Sequence, residues 1–133
     1  MNSHTPDTRK LPMLILYVSD QERSASFYRN ILGSEPVLHV PGMTEFLLTS
    51  SCKLGLMPER GIARILCPVT QHPAEGNGIP RCELYLMVDD PEKSLQTAIL
   101  AGASEISKAM PRDWGDTVAY CQDPDGHIIA FAR

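Results

Sequence analysis

The 133-residue sequence has no excess of positive charge: 12 Lys and Arg stand against 16 Asp and Glu, a formal net charge of −4, and the basic residues are scattered. The sustained positive field of a nucleic-acid binder is missing, so neither DNA nor RNA is expected as a partner. No apolar run approaches the roughly 20 residues of a membrane span, and the start, Met1 to Lys10, is polar without the apolar core of a secretion signal. The expectation is a soluble cytoplasmic protein with no membrane partner. Cysteine is sparse: Cys52, Cys67, Cys82 and Cys121 show no C-x-x-C pairing and stand mostly among strand-like residues. They read as buried reduced thiols rather than metal ligands or disulfides. Neither a glycine-rich phosphate loop nor a Ser-His-Asp or Cys-His spacing is present. At this length a chain buries roughly two-thirds of its unfolded surface, so it folds on an apolar core without staples.

What the sequence does have is a repeat. Leu14, Leu16, Val18, Asp20, Glu22 and Ser24 recur as Leu84, Leu86, Val88, Asp90, Glu92 and Ser94. Every second residue matches and a helix signal follows, so the shared element is a strand running into a helix, present twice. In the first copy, Met13 to Val18 is the strand, with Leu14, Leu16 and Val18 on the face that meets the helix and Met13, Ile15 and Tyr17 on the other. Asp20 caps a helix to about Leu32, with Ser24, Phe27, Tyr28 and Ile31 on its inner stripe and Gly33 as its stop. The second copy has Glu83 to Val88 as strand, Asp90 as cap, Pro91 at the first helical position, Leu95, Ala98 and Ile99 as stripe and Gly102 as stop.

Strand-like segments follow each helix: about Glu35 to Val40, Thr44 to Thr49 and Cys52 to Met57, then about Glu105 to Ser107, Thr117 to Gln122 and Ile128 to Ala132. Pro41-Gly42, Ser50-Ser51 and Asp123-Pro124-Asp125-Gly126 mark turns between them. Each copy is therefore β-α-β-β-β. The predicted organisation is a flexible leader over 1–10 and one α+β domain over 11–133, made of module one (11–58), a connector (59–80) and module two (81–133). The connector carries a short ordered piece at Ile62 to Leu66 and has room to cover a cleft or to meet a second subunit.

The repeat, the Ser-Asp-x-x-x-Ser-x-x-Phe-Tyr pattern from Ser19 to Tyr28 with Leu32-Gly33 after it, and Asp123-Pro124-Asp125-Gly126 before a last apolar strand resemble the vicinal oxygen chelate superfamily. That group includes glyoxalases, bleomycin-resistance proteins and extradiol dioxygenases. The resemblance covers nearly everything from Leu11 to Arg133 and implies two tandem βαβββ modules forming a curved sheet with a concave cleft. Pro58-Glu59-x-Gly61-Ile62, Gly78-Ile79-Pro80-Arg81 and Arg112-Asp113-Trp114-Gly115-Asp116 further resemble glyoxalase-like bacterial members that lack most metal ligands. The metal-dependent families take four ligands from the first and last strands of each module. Carried over, those positions fall on Met13, Gly55, Glu83 and Ala130, with Lys53 or Met57 as alternatives to Gly55. Of the four only Glu83 suits a hard or borderline cation, whereas a catalytic metal needs about three protein ligands. No cofactor is expected, and a divalent metal is the less favoured alternative.

Strand parity places Arg81, Glu83, Tyr85 and Met87 on one face with Met13, Ile15 and Tyr17, joined by Ile128, Ala130 and Ala132. A mostly apolar surface with one carboxylate, one guanidinium and two phenols is the composition of a small-molecule pocket. A charged Glu83 there should be paired, with Arg81 as the nearest partner, or partly wet, or raised in pKa. It reads either as a ligand contact or general base, or as a structural ion pair. Trp114, the single tryptophan, reads as an aromatic on a mobile rim, or as a plug at the end of its own module. His39 reads as a surface or interface residue and His127 as structural, while His4 and His72 fall in the leader and the connector. The expected ligand-binding set is Met13, Tyr17, Arg81, Glu83, Tyr85, Met87 and Trp114, with Glu83 as the one catalytic candidate. The leading expectation is a metal-independent, homodimeric small-molecule binding protein that sequesters an aromatic or amphipathic compound. The rival is a glyoxalase-type lyase, isomerase or dioxygenase acting on an oxygenated metabolite.

Overall fold

The computed structural model describes residues 7–133. His4 and the first part of the polar leader lie outside the described residues; the rest of the leader forms a short 3-10 turn at Thr8–Lys10 whose first amides are capped by Asp7. The chain groups into two compact units. One comprises residues up to Ala25 together with Leu32–Glu75, the other Ser26–Ile31 together with Gly76–Arg133. The connector through Glu75 thus goes with the first unit, and a segment of the first helix goes with the second.

The sheet of the first unit contains β1 (Met13–Val18), β2 (Leu38–Val40), β3 (Met43–Thr49) and β4 (Cys52–Pro58), in the order β1-β4-β3-β2. β1 and β4 are parallel and the other pairs antiparallel. Alternation decides which residues face inward: Leu16, Val18, Phe46, Leu54 and Leu56 are buried on one side, each worth roughly 1.5–3 kcal/mol. Helix α1 (Gln21–Leu32) starts where the Asp20 carboxylate accepts from Arg23 N at 3.0 Å. Leu14 departs from its expected place in the core and is 47% exposed. The β2 strand is only three residues long, shorter than the Glu35 to Val40 expected.

The connector is more ordered than its glycines and prolines suggested. Helix α2 (Glu59–Leu66) follows β4 directly and packs against β4 and β1, with Ile62 and Ala63 buried. Pro58 is its N-cap residue, a position where a missing N–H costs nothing. Cys67 and Cys82, expected as buried thiols, lie outside the strands and are exposed, while Cys121 is buried and all four thiols are free.

The second unit repeats the order: β5 (Glu83–Met87), α3 (Pro91–Leu100), β6 (Ser104–Pro111), β7 (Thr117–Gln122) and β8 (Ile128–Ala132), arranged β5-β8-β7-β6 with β5 and β8 parallel. Asp90 caps α3 by accepting from Lys93 N at 3.2 Å. The helix packs on β6, β7 and β8, burying Leu95 and Ala98 on the same side as Ala119, Cys121, Ile129 and Phe131. Strand β6 runs well past the expected Ser107, because two register shifts let it follow β7 to Pro111.

One buried carboxylate ties this unit together. Asp123 Oδ1 accepts from Asp125 N at 2.9 Å and His127 N at 2.8 Å, shaping the turn between β7 and β8. Its Oδ2 accepts from Tyr28 Oη at 2.7 Å and meets His127 Nδ1 at 2.7 Å. Gly126 completes the turn at φ +94, and an added Cβ there would lie 2.6 Å from the Gly78 carbonyl oxygen. Burial alone would raise the Asp123 carboxyl, but the hydrogen bond and charge of His127, with the Tyr28 hydroxyl, outweigh it and hold the group below its ordinary value. Burial, then the Asp123 charge, pushes the Tyr28 phenol well above its own. Burial also carries the Cys121 thiol up to about 12, so it is unreactive at neutral pH.

Asp123→Ala, which strands the Tyr28 hydroxyl and two amides, is expected to lower the unfolding free energy by about 3 kcal/mol in urea titrations, and Tyr28→Phe by about 1.5 kcal/mol. Because the folded pKa of Asp123 is depressed, its stabilisation is complete above the unfolded carboxylate value of about 4 and is lost as pH falls through the folded value. The advantage of wild type over Asp123→Ala therefore shrinks below about pH 4.

Candidate ligand-binding site

Residues opposite each other across paired strands share a face. In the second unit the register sets Tyr85 beside Ala130 and Ala130 beside Tyr120, with Glu83 beside Ile128 and Met87 beside Ala132. Ala130, Ala132 and Val118 are fully buried, with Tyr120 packed against them. Two small, fully buried residues on β8 thus share a face with the phenol-bearing Tyr85 and Tyr120. This face lies opposite the one that α3 covers.

The edge of this face is built from residues distant in sequence. Trp114 Nε1 donates to Tyr85 Oη at 2.9 Å, and Tyr85 Oη donates to Asp116 Oδ2 at 2.6 Å. The hydrogen bond to Asp116 raises the Tyr85 phenol above its ordinary pKa, against the smaller opposing effect of the Trp114 N–H. Trp114 remains 59% exposed, so it does not plug its own module. The loop beneath it is tied down rather than mobile: Arg112 N donates to Asp116 O at 2.8 Å and Gly115 N to Arg112 O at 3.1 Å. The Arg112 guanidinium donates to Val118 O at 2.8 Å and Ser107 Oγ at 2.7 Å, and lies 5.1 Å over the Tyr120 ring. Such a stack adds a cation–π contribution to the hydrogen bonds.

Glu83, Tyr85 and Met87 are exposed on this face, and Arg81, ahead of β5, is exposed as well. Of the alternatives for Glu83, the structure favours the wet one: it is exposed, and no ion pair with Arg81 is found among the described residues. Met13 and Tyr17 are half-buried on β1 of the first unit. There Met13 lies over Gly55: a Cβ added to that glycine would sit 2.9 Å from Met13 Sδ and 3.1 Å from Ile15 Cγ1. His39 is held at both ring nitrogens, by Thr44 Oγ1 at 2.7 Å and Glu22 Oε1 at 3.0 Å. It borders a surface depression of about 290 Å³. His72 caps its own turn by accepting from Ala74 N.

The four positions that correspond to metal ligands do not fit a metal. Gly55 is covered by apolar atoms, Ala130 offers a buried methyl group, and Met13 supplies only a thioether. Among the described residues no three His, Cys, Asp or Glu side chains are grouped so as to hold an ion. Lys53 and Glu45, by contrast, form an ion pair of 2.7 Å on the first sheet with side chains only 5% and 15% exposed. Sequence reading treated Lys53 only as a substitute ligand and passed over Glu45. Their strand parity with Met13 and Gly55 was the available signal. Asp116 and Arg112 were noticed only as neighbours of Trp114.

Two tandem βαβββ modules, each closing a four-stranded mixed sheet under a helix, define the architectural class. The family model described as Glyoxalase/Bleomycin resistance protein/Dioxygenase superfamily matches residues 10–131, and the chain belongs to that superfamily. A glyoxalase-related enzyme from Fulvimarina pelagi is 21% identical over 93% of this chain and 87% of its own, with a TM-score of 0.78. A glyoxalase/bleomycin resistance protein/dioxygenase family enzyme from Burkholderia phytofirmans PsJN is 17% identical over 90% and 94%, with a TM-score of 0.77. A protein of unknown function from Agrobacterium tumefaciens str. C58 is 25% identical over 90% and 89%, with a TM-score of 0.72. These likenesses describe the fold. No curated protein matches the sequence significantly, and among the described residues no helix is long and apolar enough to cross a membrane.

Phenolate quenches nearby indole emission, so ionisation of Tyr85 is readable through Trp114. The emission is expected to fall with a midpoint above the ordinary phenol value of about 10, and Asp116→Asn to move that midpoint down. An unmoved midpoint would break the link between the two residues.

Proposed function

We propose that this protein binds a small aromatic or amphipathic molecule without a metal, and acts by sequestering it. The observation that carries the reading is the Trp114–Tyr85–Asp116 chain of hydrogen bonds. It orients an exposed indole beside the Tyr85 phenol, a pre-organised aromatic platform on which a flat ligand can stack. Glu83, Arg81 and Met87 border the same strand and supply polar and adaptable contacts. Metal independence is supported by the methyl group and the covered glycine at two of the four ligand positions. The working form in this reading is a cytoplasmic homodimer.

A second reading rests on Glu83, a carboxylate open to solvent on the same face as Tyr85. In it the protein is a lyase or isomerase of the glyoxalase type with Glu83 as general base.

The test is metal content after growth with Zn, Ni, Mn and Fe and purification without chelator, followed by a screen of aromatic compounds by quenching of Trp114. Metal well below one ion per protomer is expected in wild type and Glu83→Ala alike, and near-stoichiometric metal lost in the variant would overturn the reading. Compounds that quench Trp114 are expected to bind roughly fivefold more weakly to Trp114→Phe, from the loss of about 1 kcal/mol of stacking, with circular dichroism unchanged. Turnover of a glyoxal adduct that collapses in Glu83→Gln would favour the enzyme instead.

A further inference from the structure

The buried pair Lys53–Glu45 has no evident task in the core. The helix-facing side of the first sheet is apolar, with Leu16, Val18, Phe46, Leu54 and Leu56 buried there. Lys53 and Glu45 belong to the other side: Lys53 is register partner to Met13 and Leu47, and Glu45 to Gly55 and Leu38. Taking two charges out of water costs free energy that their attraction returns poorly, and apolar residues of similar volume commonly serve stability as well or better.

The pair is also incompletely used. Among the described residues, Lys53 Nζ makes one hydrogen bond, to Glu45 Oε1 at 2.7 Å, although an ammonium carries three N–H groups and a carboxylate about four acceptor sites. Next to it lies the smallest possible side chain, Gly55, with the Met13 thioether seated over it at 2.9 Å from where a Cβ would be. Methionine is unbranched and repacks at low cost, so this plug is displaceable. Moving it uncovers a methyl-sized recess walled by Ile15, beside the Glu45 carboxylate and the Lys53 ammonium.

From these observations we infer that Lys53 and Glu45 form a polar anchor for a neutral ligand group carrying a carbonyl acceptor beside an N–H donor, such as a primary amide or a lactam on an apolar body. The inference rests on the reading of this protein as a small-molecule binder. The carbonyl oxygen accepts from Lys53 Nζ, the N–H donates to Glu45 Oε2, and Met13 moves off Gly55 to admit the group. A net-neutral pair presents donor and acceptor side by side. It discriminates against a carboxylate, which adds an unbalanced charge, and against an amide without N–H, which leaves Glu45 unanswered.

The test compares 2-naphthamide, 2-naphthoate and N,N-dimethyl-2-naphthamide by calorimetry, with the methyl carbon of methionine labelled and Met13 assigned through Met13→Leu. Wild type is expected to bind 2-naphthamide at least tenfold more tightly than either analogue, with a shift of the Met13 methyl resonance. Because a single substitution strands a buried charge, the pair is removed together in Lys53→Met/Glu45→Leu, which is expected to melt at or above the wild-type temperature and to bind all three compounds alike. Equal binding of the three by wild type, a preference that survives in the double variant, or an absence of 2-naphthamide binding would each overturn the inference. Should the Trp114 screen yield ligands while wild type fails to prefer 2-naphthamide, the anchor fails and the proposed function stands; should that screen yield none, the proposed function fails by its own measurement.

Discussion

The fold of the second unit depends on one buried negative charge. Asp123 is almost without solvent, yet it remains ionised because every direction from its carboxylate holds a donor: two turn amides, the Tyr28 hydroxyl and the His127 ring. Each of those donors would be costly to bury unpaired, so the carboxylate and its partners require one another. The turn between β7 and β8 sets the register of both strands, and that register sets which residues of β8 share a face with Tyr85 and Tyr120. A charge buried on the helix side of the sheet thus fixes the positions of uncharged residues on the other side.

Both units divide labour between their two sheet faces. The face under the helix is apolar and close-packed, whereas the opposite face carries the aromatic, charged and small residues. In the second unit that face holds Tyr85 and Trp114 in fixed mutual orientation; in the first it holds the Lys53–Glu45 pair and the glycine covered by Met13. Superfamily membership defines the scaffold and leaves the chemistry to these faces.

Much of the architecture was legible in the chain. Alternation of apolar residues placed β1, β7 and β8 where the structure has them, and Asp20, Asp90, Pro91, Gly33 and Gly102 marked the helix ends, because caps and stops act over a few residues. Elements that depend on distant partners were not legible. β6 extends to Pro111 only because β7 is there to pair with it, and α2 forms around Pro58 and Gly61 because its Ile62 and Ala63 become buried. Leu14 matches its repeat partner Leu84 in sequence, yet it is 47% exposed, because a repeat in sequence does not by itself supply a covering neighbour.

The candidate site divides along the same line. By itself, the sequence determined the doubled βαβββ plan, the face on which Glu83, Tyr85 and Met87 lie, and the poverty of metal-binding side chains at the family's ligand positions, because parity and residue type are local properties. Only the tertiary structure decided that Trp114 donates to Tyr85 from 29 residues away, that Arg112 holds the loop rigid, that Glu83 and Arg81 stay apart, and that Lys53 finds Glu45. Those pairings are set by strand register and side-chain reach, which exist only once the sheets have assembled.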